Sequence, residues 1–311
     1  MPVGPGPKRT GKPSPPGLAL PLSRTGARSA PASRARPVAC GRRPACVILP
    51  PVGALSGFAY RVYERRLASS LRDHPLPQHI GVVLDGNRRY AVEQGLGDPS
   101  AGHRQGARKI DELLDWCREL DIAHVTLWLL SAANLRRHAA ELGPLCDIIA
   151  ETVERLATDA HHVRHGVRLT AVGDTEELPD PLRLALKDAE TETAGRSGIH
   201  VQVAVGYGGR EEITHALRNL LADRAARGHD LDRVVTELTP DEIGAHLYTT
   251  GTPDPDLIIR TSGEIRLSGF LLWQSAHSEF HFCDAYWPAF RKTDFLRALR
   301  DYASRQRRFG R

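Results

Sequence analysis

The residues best equipped for chemistry lie in Arg260-Thr261-Ser262-Gly263-Glu264-Ile265-Arg266-Leu267-Ser268, where two arginines and hydroxyl side chains surround a glycine turn. The segment follows the apolar run Leu257-Ile258-Ile259. A guanidinium donates paired hydrogen bonds that match phosphate oxygens, and loops at strand ends are where parallel α/β sheets hold ligands. A second loop of this kind, Asp85-Gly86-Asn87-Arg88-Arg89, follows Ile80 to Leu84. There a carboxylate could hold magnesium while backbone N–H groups face an anion; an ordinary Asp-Gly turn is the alternative. Two such loops suggest two phosphorylated ligands handled together.

Three further segments offer polar groups after apolar runs. Gly102-His103-Arg104-Gln105-Gly106 stands at the start of a long helical pattern, with His103 as a donor or merely a solvated histidine. Ser131-Ala132-Ala133-Asn134-Leu135-Arg136-Arg137 brings hydroxyl, amide and guanidinium groups together, and Gly206-Tyr207-Gly208-Gly209-Arg210 permits close backbone approach. Glu279 lies in an apolar stretch, where an acid must be paired or metal-bound. His161-His162-Val163-Arg164-His165 has no cysteine or acid at zinc-like spacing and reads as a solvated helix end.

The elements that must position these groups alternate. Strand candidates are Ile80–Leu84, His124–Leu130, Val167–Val172, His200–Val205, Leu257–Ile259 and Glu279–Phe282. Between them, 106–120, 141–163, 181–192 and 210–227 have helical periodicity, Thr239-Pro240-Asp241-Glu242 reads as a capped helix start, and a last helix runs from about 293 to 308. Six strands alternating with helices predict an α/β fold: a single domain whose central, mainly parallel six-stranded sheet is covered on both faces. We assign 79–311 to that domain and 52–78 to a helical lead-in.

Charge separates the body from what precedes it. Residues 1–49 hold nine of the 42 basic residues and no acid, which leaves 33 basic and 37 acidic groups, a formal charge of −4, in 50–311. Residues 1–51 also contain 12 of the 22 prolines and read as a disordered Pro/Arg-rich extension. The basic pI therefore does not argue for nucleic acid as a partner. No apolar run approaches the ~20 residues of a membrane span. Five scattered cysteines read as small core residues in a reducing compartment, consistent with a cytoplasmic protein.

Together, His79 to Arg89, Gly102-His103, Ser131 to Arg137, Gly206 to Arg210, Asp256 to Glu279, Trp287-Pro288 and Arg307-Arg308-Phe309-Gly310 resemble the cis-prenyltransferases, the undecaprenyl diphosphate synthase family. The resemblance implies a homodimer, magnesium (Mg2+) as cofactor, and condensation of isopentenyl diphosphate with an allylic diphosphate at the mouth of an apolar tunnel. It implies that Asp85 holds the metal, that Gly86, Asn87, Arg88, Arg89, His103 and Arg137 grip the allylic diphosphate, and that Tyr90 and Asn134 are among the substrate-binding residues. Arg260, Arg266 and Ser268 then fall on isopentenyl diphosphate, with Asn87 and Ser131 taking part in proton loss. Glu279, a second metal ligand, and the Arg308-x-Gly310 piece are implied to act near the partner subunit's site. Peripheral membrane contact is compatible with this picture.

Departures bear on substrate detail. Arg88 stands where many relatives have Gly, Tyr90 where they have Trp, and Ala133 and Leu135 where they have Glu and Trp. Residues 96–100 lack an arginine that many members carry. Leu129 aligns with a small residue of long-chain relatives, and its bulk predicts termination at a short-chain Z,E-farnesyl diphosphate, with geranyl diphosphate as acceptor. A long-chain synthase making a cell-wall carrier lipid is the rival. A non-catalytic subunit is disfavoured by the intact Asp85 loop.

Overall fold

A computed structural model describes residues 54–72 and 74–305. The extension 1–51 and the terminal residues Arg308 and Gly310 lie outside the described residues.

Six strands form one wholly parallel sheet: β1 (His79–Val83), β2 (His124–Ser131), β3 (Arg168–Val172), β4 (His200–Tyr207), β5 (Leu257–Arg260) and β6 (Glu279–Phe282), in the order β3-β4-β2-β1-β5-β6. The β1 residues are buried throughout, as expected of a central strand covered on both faces. All six predicted strands are present, with ends displaced by one or two residues.

The order reverses at β1, which pairs β2 on one side and β5 on the other. At such a switch point the loops leaving adjacent strands diverge and open a crevice beyond their carboxyl ends. The Asp85 and Thr261 loops leave from these two strands.

One correction concerns α2 (Asn87–Glu93). The segment after Gly86 is helical, not a loop, because Gly86 turns the chain at φ 97° and Asn87 starts a helix directly. A second concerns α3, which spans Pro99–Glu119 and begins about two turns before the expected 106. Asp98 caps it by accepting from the Ser100 N–H at 2.8 Å, with Pro99 in the first turn. His103 consequently sits inside the helix, beyond its first amides. The predicted 141–163 helix is two, α4 (Ala139–Thr158) and α5 (Ala160–Arg164), broken where Asp159 adopts extended geometry and caps the second.

On one face of the sheet, Ile110, Leu113, Leu114 and Cys117 of α3 join Ile149, Val153 and Leu156 of α4 against Val82 and Leu127. Each such side chain contributes about 1.5–3 kcal/mol of burial. The other face carries a smaller cluster around Tyr207, Phe270 and Leu271. The lead-in helix α1 (Ala54–Ser70) packs on the last helix, Lys292–Ser304, where Tyr60 Oη lies 2.5 Å from Thr293 Oγ1. Among the described residues no helix is long and apolar enough to cross a membrane. A small, mainly apolar chamber of about 40 Å³ lies between α3 and α4 at Leu129.

Candidate active site

A cleft of about 1370 Å³ opens at the carboxyl ends of β1, β2, β4 and β5. Asp85, Gly86, Asn87, Arg88, Arg89, His103, Leu129, Ser131, Asn134, Arg137, Arg260, Arg266 and Ser268 all line it. Two members of the expected set do not. Tyr90 sits one turn into α2 and is absent from the wall. Glu279 opens β6 in register with Leu257, whereas Asp85 follows the end of β1. About five residues at ~3.3 Å each therefore separate their levels along the strands. Glu279 pairs instead with Arg305. Within one chain it cannot share a metal with Asp85.

Asp85 and Arg260 form the centre of the cleft. Arg260 Nη2 donates to Asp85 Oδ2 at 2.9 Å, while its Nη1 donates to the Arg266 carbonyl at 2.6 Å and to Ser268 Oγ at 2.7 Å. Arg260 is only 5% exposed, and its Nε is buried without a partner. Thr261 Oγ1 accepts from the Asp85 N–H at 3.0 Å and lies 2.8 Å from the Asp85 carbonyl, tying the two loops together. Ser262 and Ser268 both hold left-handed backbone, φ 77° and 51°, conformations that cost about 1–3 kcal/mol each and gather at ligand sites.

Arg89 reaches Asp85 Oδ1 at 3.5 Å, hydrogen-bonds Ser262 and meets Glu264 Oε1 at 3.1 Å, and Glu264 also pairs with Arg266. Its guanidinium lies 5.7 Å from the Tyr286 ring centre. Gly86 is required here, since a Cβ would come within 2.6 Å of Tyr286 and 2.9 Å of Ser262.

On the facing wall, Arg88 and Arg137 share Glu141, at 2.8 and 2.7 Å from the same oxygen. Burial, and then the charges of Arg137 and Arg88, pull His103 down to about 4, so its ring is neutral near pH 7. Ser131 Oγ accepts from the Asn134 N–H at 3.2 Å and shapes the turn that carries Asn134. Asn87 Nδ2 donates to the Leu84 carbonyl at 2.8 Å, which commits one of its two amide hydrogens to holding the loop. Its Oδ1 is buried without a partner and faces Gly106, where a Cβ would sit 2.2 Å away.

Several wall residues escaped the sequence reading. Tyr286 and Leu145 on the wall, and Glu141 behind it on Arg88 and Arg137, have no local signal, since each is placed by long-range packing. Glu212, 1% exposed, accepts from Tyr207 Oη at 2.5 Å, from Gln274 and from the Tyr248 N–H, and so fixes the glycine-rich loop after β4. Burial pushes its carboxyl up. His161 and His162 pair with Asp115 and Asp111 of α3, which supports a structural role.

Among the described residues no three His, Cys, Asp or Glu side chains gather as a metal cage. A lone carboxylate facing the cleft still fits magnesium, which keeps several waters and takes the rest of its shell from substrate phosphates. Leu129 and Leu145 line both the cleft and the chamber beneath it. In the β2–β4 pairing Trp128 faces Ala204 and Leu130 faces Val205, so Leu129 is an extra, bulged residue. Bulges re-aim side chains beside active sites.

The sequence model of the undecaprenyl diphosphate synthase family matches residues 83–310. The chain is 57% identical over 251 residues to a (2Z,6E)-farnesyl diphosphate synthase of Thermobifida fusca, covering 81% of this chain and 96% of that one. It is 49% identical over 258 residues to an isoprenyl transferase of Thermus thermophilus, covering 83% and 98%. A crystal structure of lavandulyl diphosphate synthase from Lavandula x intermedia with dimethylallyl diphosphate superposes with TM-score 0.69 at 33% identity, covering 76% of this chain and 99% of that one. The cleft at the switch point and these likenesses agree, and the chain belongs to the undecaprenyl diphosphate synthase family of cis-prenyltransferases, enzymes that transfer prenyl groups.

Proposed function

We propose that this enzyme joins one isopentenyl diphosphate to geranyl diphosphate in cis, releasing diphosphate, a proton and fifteen-carbon Z,E-farnesyl diphosphate. The observation that carries the reading is the shared cleft. Arg260, Arg266 and Ser268 gather on one side of Asp85 and Arg88, His103 and Arg137 on the other, with Arg89 joining Asp85 to Ser262 and Glu264, so two diphosphates would lie together.

In this reading the allylic diphosphate rests on the Gly86–Arg89 turn and Arg137, with its hydrocarbon tail over Leu129. Arginines aimed at the leaving oxygens favour breakage of the allylic C–O bond, since charge develops there. Magnesium held by Asp85 would add neutralising charge to the same oxygens. Arg260 keeps isopentenyl diphosphate beside the breaking bond, so that its double bond attacks the allylic carbon before a proton is lost. Neutral His103 serves as a hydrogen-bond donor. Ser131 and Asn87 hold the backbone around the reacting carbons.

The short product rests on the floor. Leu129 and Leu145 stand where the cleft meets a chamber of only about 40 Å³. A cavity of about 150 Å³ is the scale that admits benzene, so a further five-carbon unit does not fit without rearrangement. A long chain made for a cell-wall carrier lipid would need that floor open. We place the active unit in a homodimer, where Glu279 on edge strand β6 approaches the partner's cleft. We also place it in the cytoplasm with peripheral membrane contact, because the product is amphiphilic.

The test is product analysis with purified protein, magnesium, labelled isopentenyl diphosphate and a panel of allylic primers. Geranyl diphosphate should give one fifteen-carbon product. No incorporation with any primer would overturn the reading, and a long-chain product would overturn its short-chain part.

A further inference from the structure

Glu141 stands in the first turn of α4 and does not itself line the cleft. One of its oxygens accepts from Arg88 Nη1 at 2.8 Å and from Arg137 Nη1 at 2.7 Å. These arginines come from different parts of the chain, the first turn of α2 and the segment after β2, and both line the cleft.

Two guanidinium groups brought this close repel each other. Arg88, moreover, sits at the end of α2 where the helix dipole disfavours a cation. Glu141 sits at the matching end of α4, where a carboxylate is favoured. A shared oxygen thus offsets both penalties. Each arginine gives only Nη1 to the carboxylate, which leaves its Nε–Nη2 edge for paired hydrogen bonds to a phosphate. The excess positive charge is felt by His103, which both arginines help to hold neutral.

We propose that Glu141 is a positioning residue that pairs Arg88 with Arg137 as one two-armed cationic grip for the allylic diphosphate. This deepens the function proposed above and rests on it. Arg88, 52% exposed along its side chain, would otherwise be a solvated arginine free to leave the cleft.

The test uses the full chain with magnesium and an unreactive thiolo analogue of geranyl diphosphate, titrated calorimetrically. Glu141→Gln keeps the shape and removes the charge. It and Arg88→Ala should each weaken the analogue about fivefold, the scale of a partly exposed charge pair. The double variant should lose less than the product of the two single losses, because both changes break the Glu141–Arg88 contact while only Glu141→Gln also releases Arg137. KM for the allylic substrate should rise while KM for isopentenyl diphosphate stays put, and Glu141→Asp should recover part of the loss. Wild-type-like binding by Glu141→Gln, or losses that multiply in the double variant, would overturn the proposal. If Glu141→Gln fails to fold, Arg88→Ala alone decides: unchanged analogue binding refutes the grip. Wild-type turnover is measured in parallel, so failure of the proposed reaction is told apart from failure of this role.

Discussion

Arg260 donates through Nη2 to Asp85 Oδ2 over 2.9 Å, joining the ends of two neighbouring parallel strands. The arginine is almost fully buried and the carboxylate faces the cleft. The pair is therefore the pivot on which two anion-binding loops meet, and it constrains what each substitution should do.

Asp85→Asn should lower kcat by at least about a hundredfold, the scale for losing one charge-stabilising group at a reacting centre. It also leaves Arg260 buried beside a neutral amide, so the melting temperature should fall with it. Steady-state kinetics and thermal melts check both. Full activity would remove Asp85 from the reaction.

Arg260→Lys keeps the charge and loses the fork. Three separate bonds now fix the guanidinium, to Asp85, Ser268 and the Arg266 carbonyl. An ammonium cannot span them and grip a phosphate as well. KM for isopentenyl diphosphate should rise about tenfold or more, with a smaller change for the allylic substrate. Equal effects on both substrates would contradict the assignment of this side of the cleft.

Leu129→Ala should lengthen the products, because it removes bulk where the cleft meets the chamber. A partly buried leucine loses about 1–3 kcal/mol of stability on truncation, which the fold should survive. Reversed-phase analysis of labelled products reads the outcome. An unchanged fifteen-carbon product would take Leu129 out of chain-length control and shift attention to Leu145 on α4.

Three histidines set an acid limit. Burial holds His79, His103 and His200 near pKa 4 in the folded chain, against 6.5 when exposed. Below pH 6.5 the unfolded chain takes up protons that the folded one refuses, so stability is lost as the pH falls from about 6.5 towards 4. His79 and His200 lie at the amino ends of β1 and β4, away from the cleft, so this is a property of the fold and not of catalysis alone. Melting curves between pH 7.5 and 4.5 should show the decline; a flat profile would contradict it.

The strands were legible because a parallel sheet covered on both faces leaves continuous apolar runs, and Ile80 to Leu84 could hardly be anything else. The loops after them were legible because Asp-Gly, Gly-Gly and Arg-Thr-Ser-Gly segments end those runs. The first turns of α3 were not, since Gly102 and Gly106 look like breakers. They are glycines because α2 packs against them: a Cβ at Gly102 would lie 2.0 Å from the Asn87 carbonyl. The bulge at Leu129 left no mark in the apolar pattern, although it decides where that side chain points. Nor could Glu141 announce that it serves two arginines, one of them 53 residues away. Tyr90 is expected at the site on family pattern alone and is not among the residues that line the cleft.

A crystal structure with magnesium, isopentenyl diphosphate and the thiolo analogue of geranyl diphosphate tests the central claim most directly. The account predicts one diphosphate on Arg260, Arg266 and Ser268 and the other on Gly86 to Arg89 and Arg137. Asp85 should stand between them, with the carbons to be joined about 3–3.5 Å apart. Diphosphates found in separate pockets, with those carbons out of reach of each other, would contradict it.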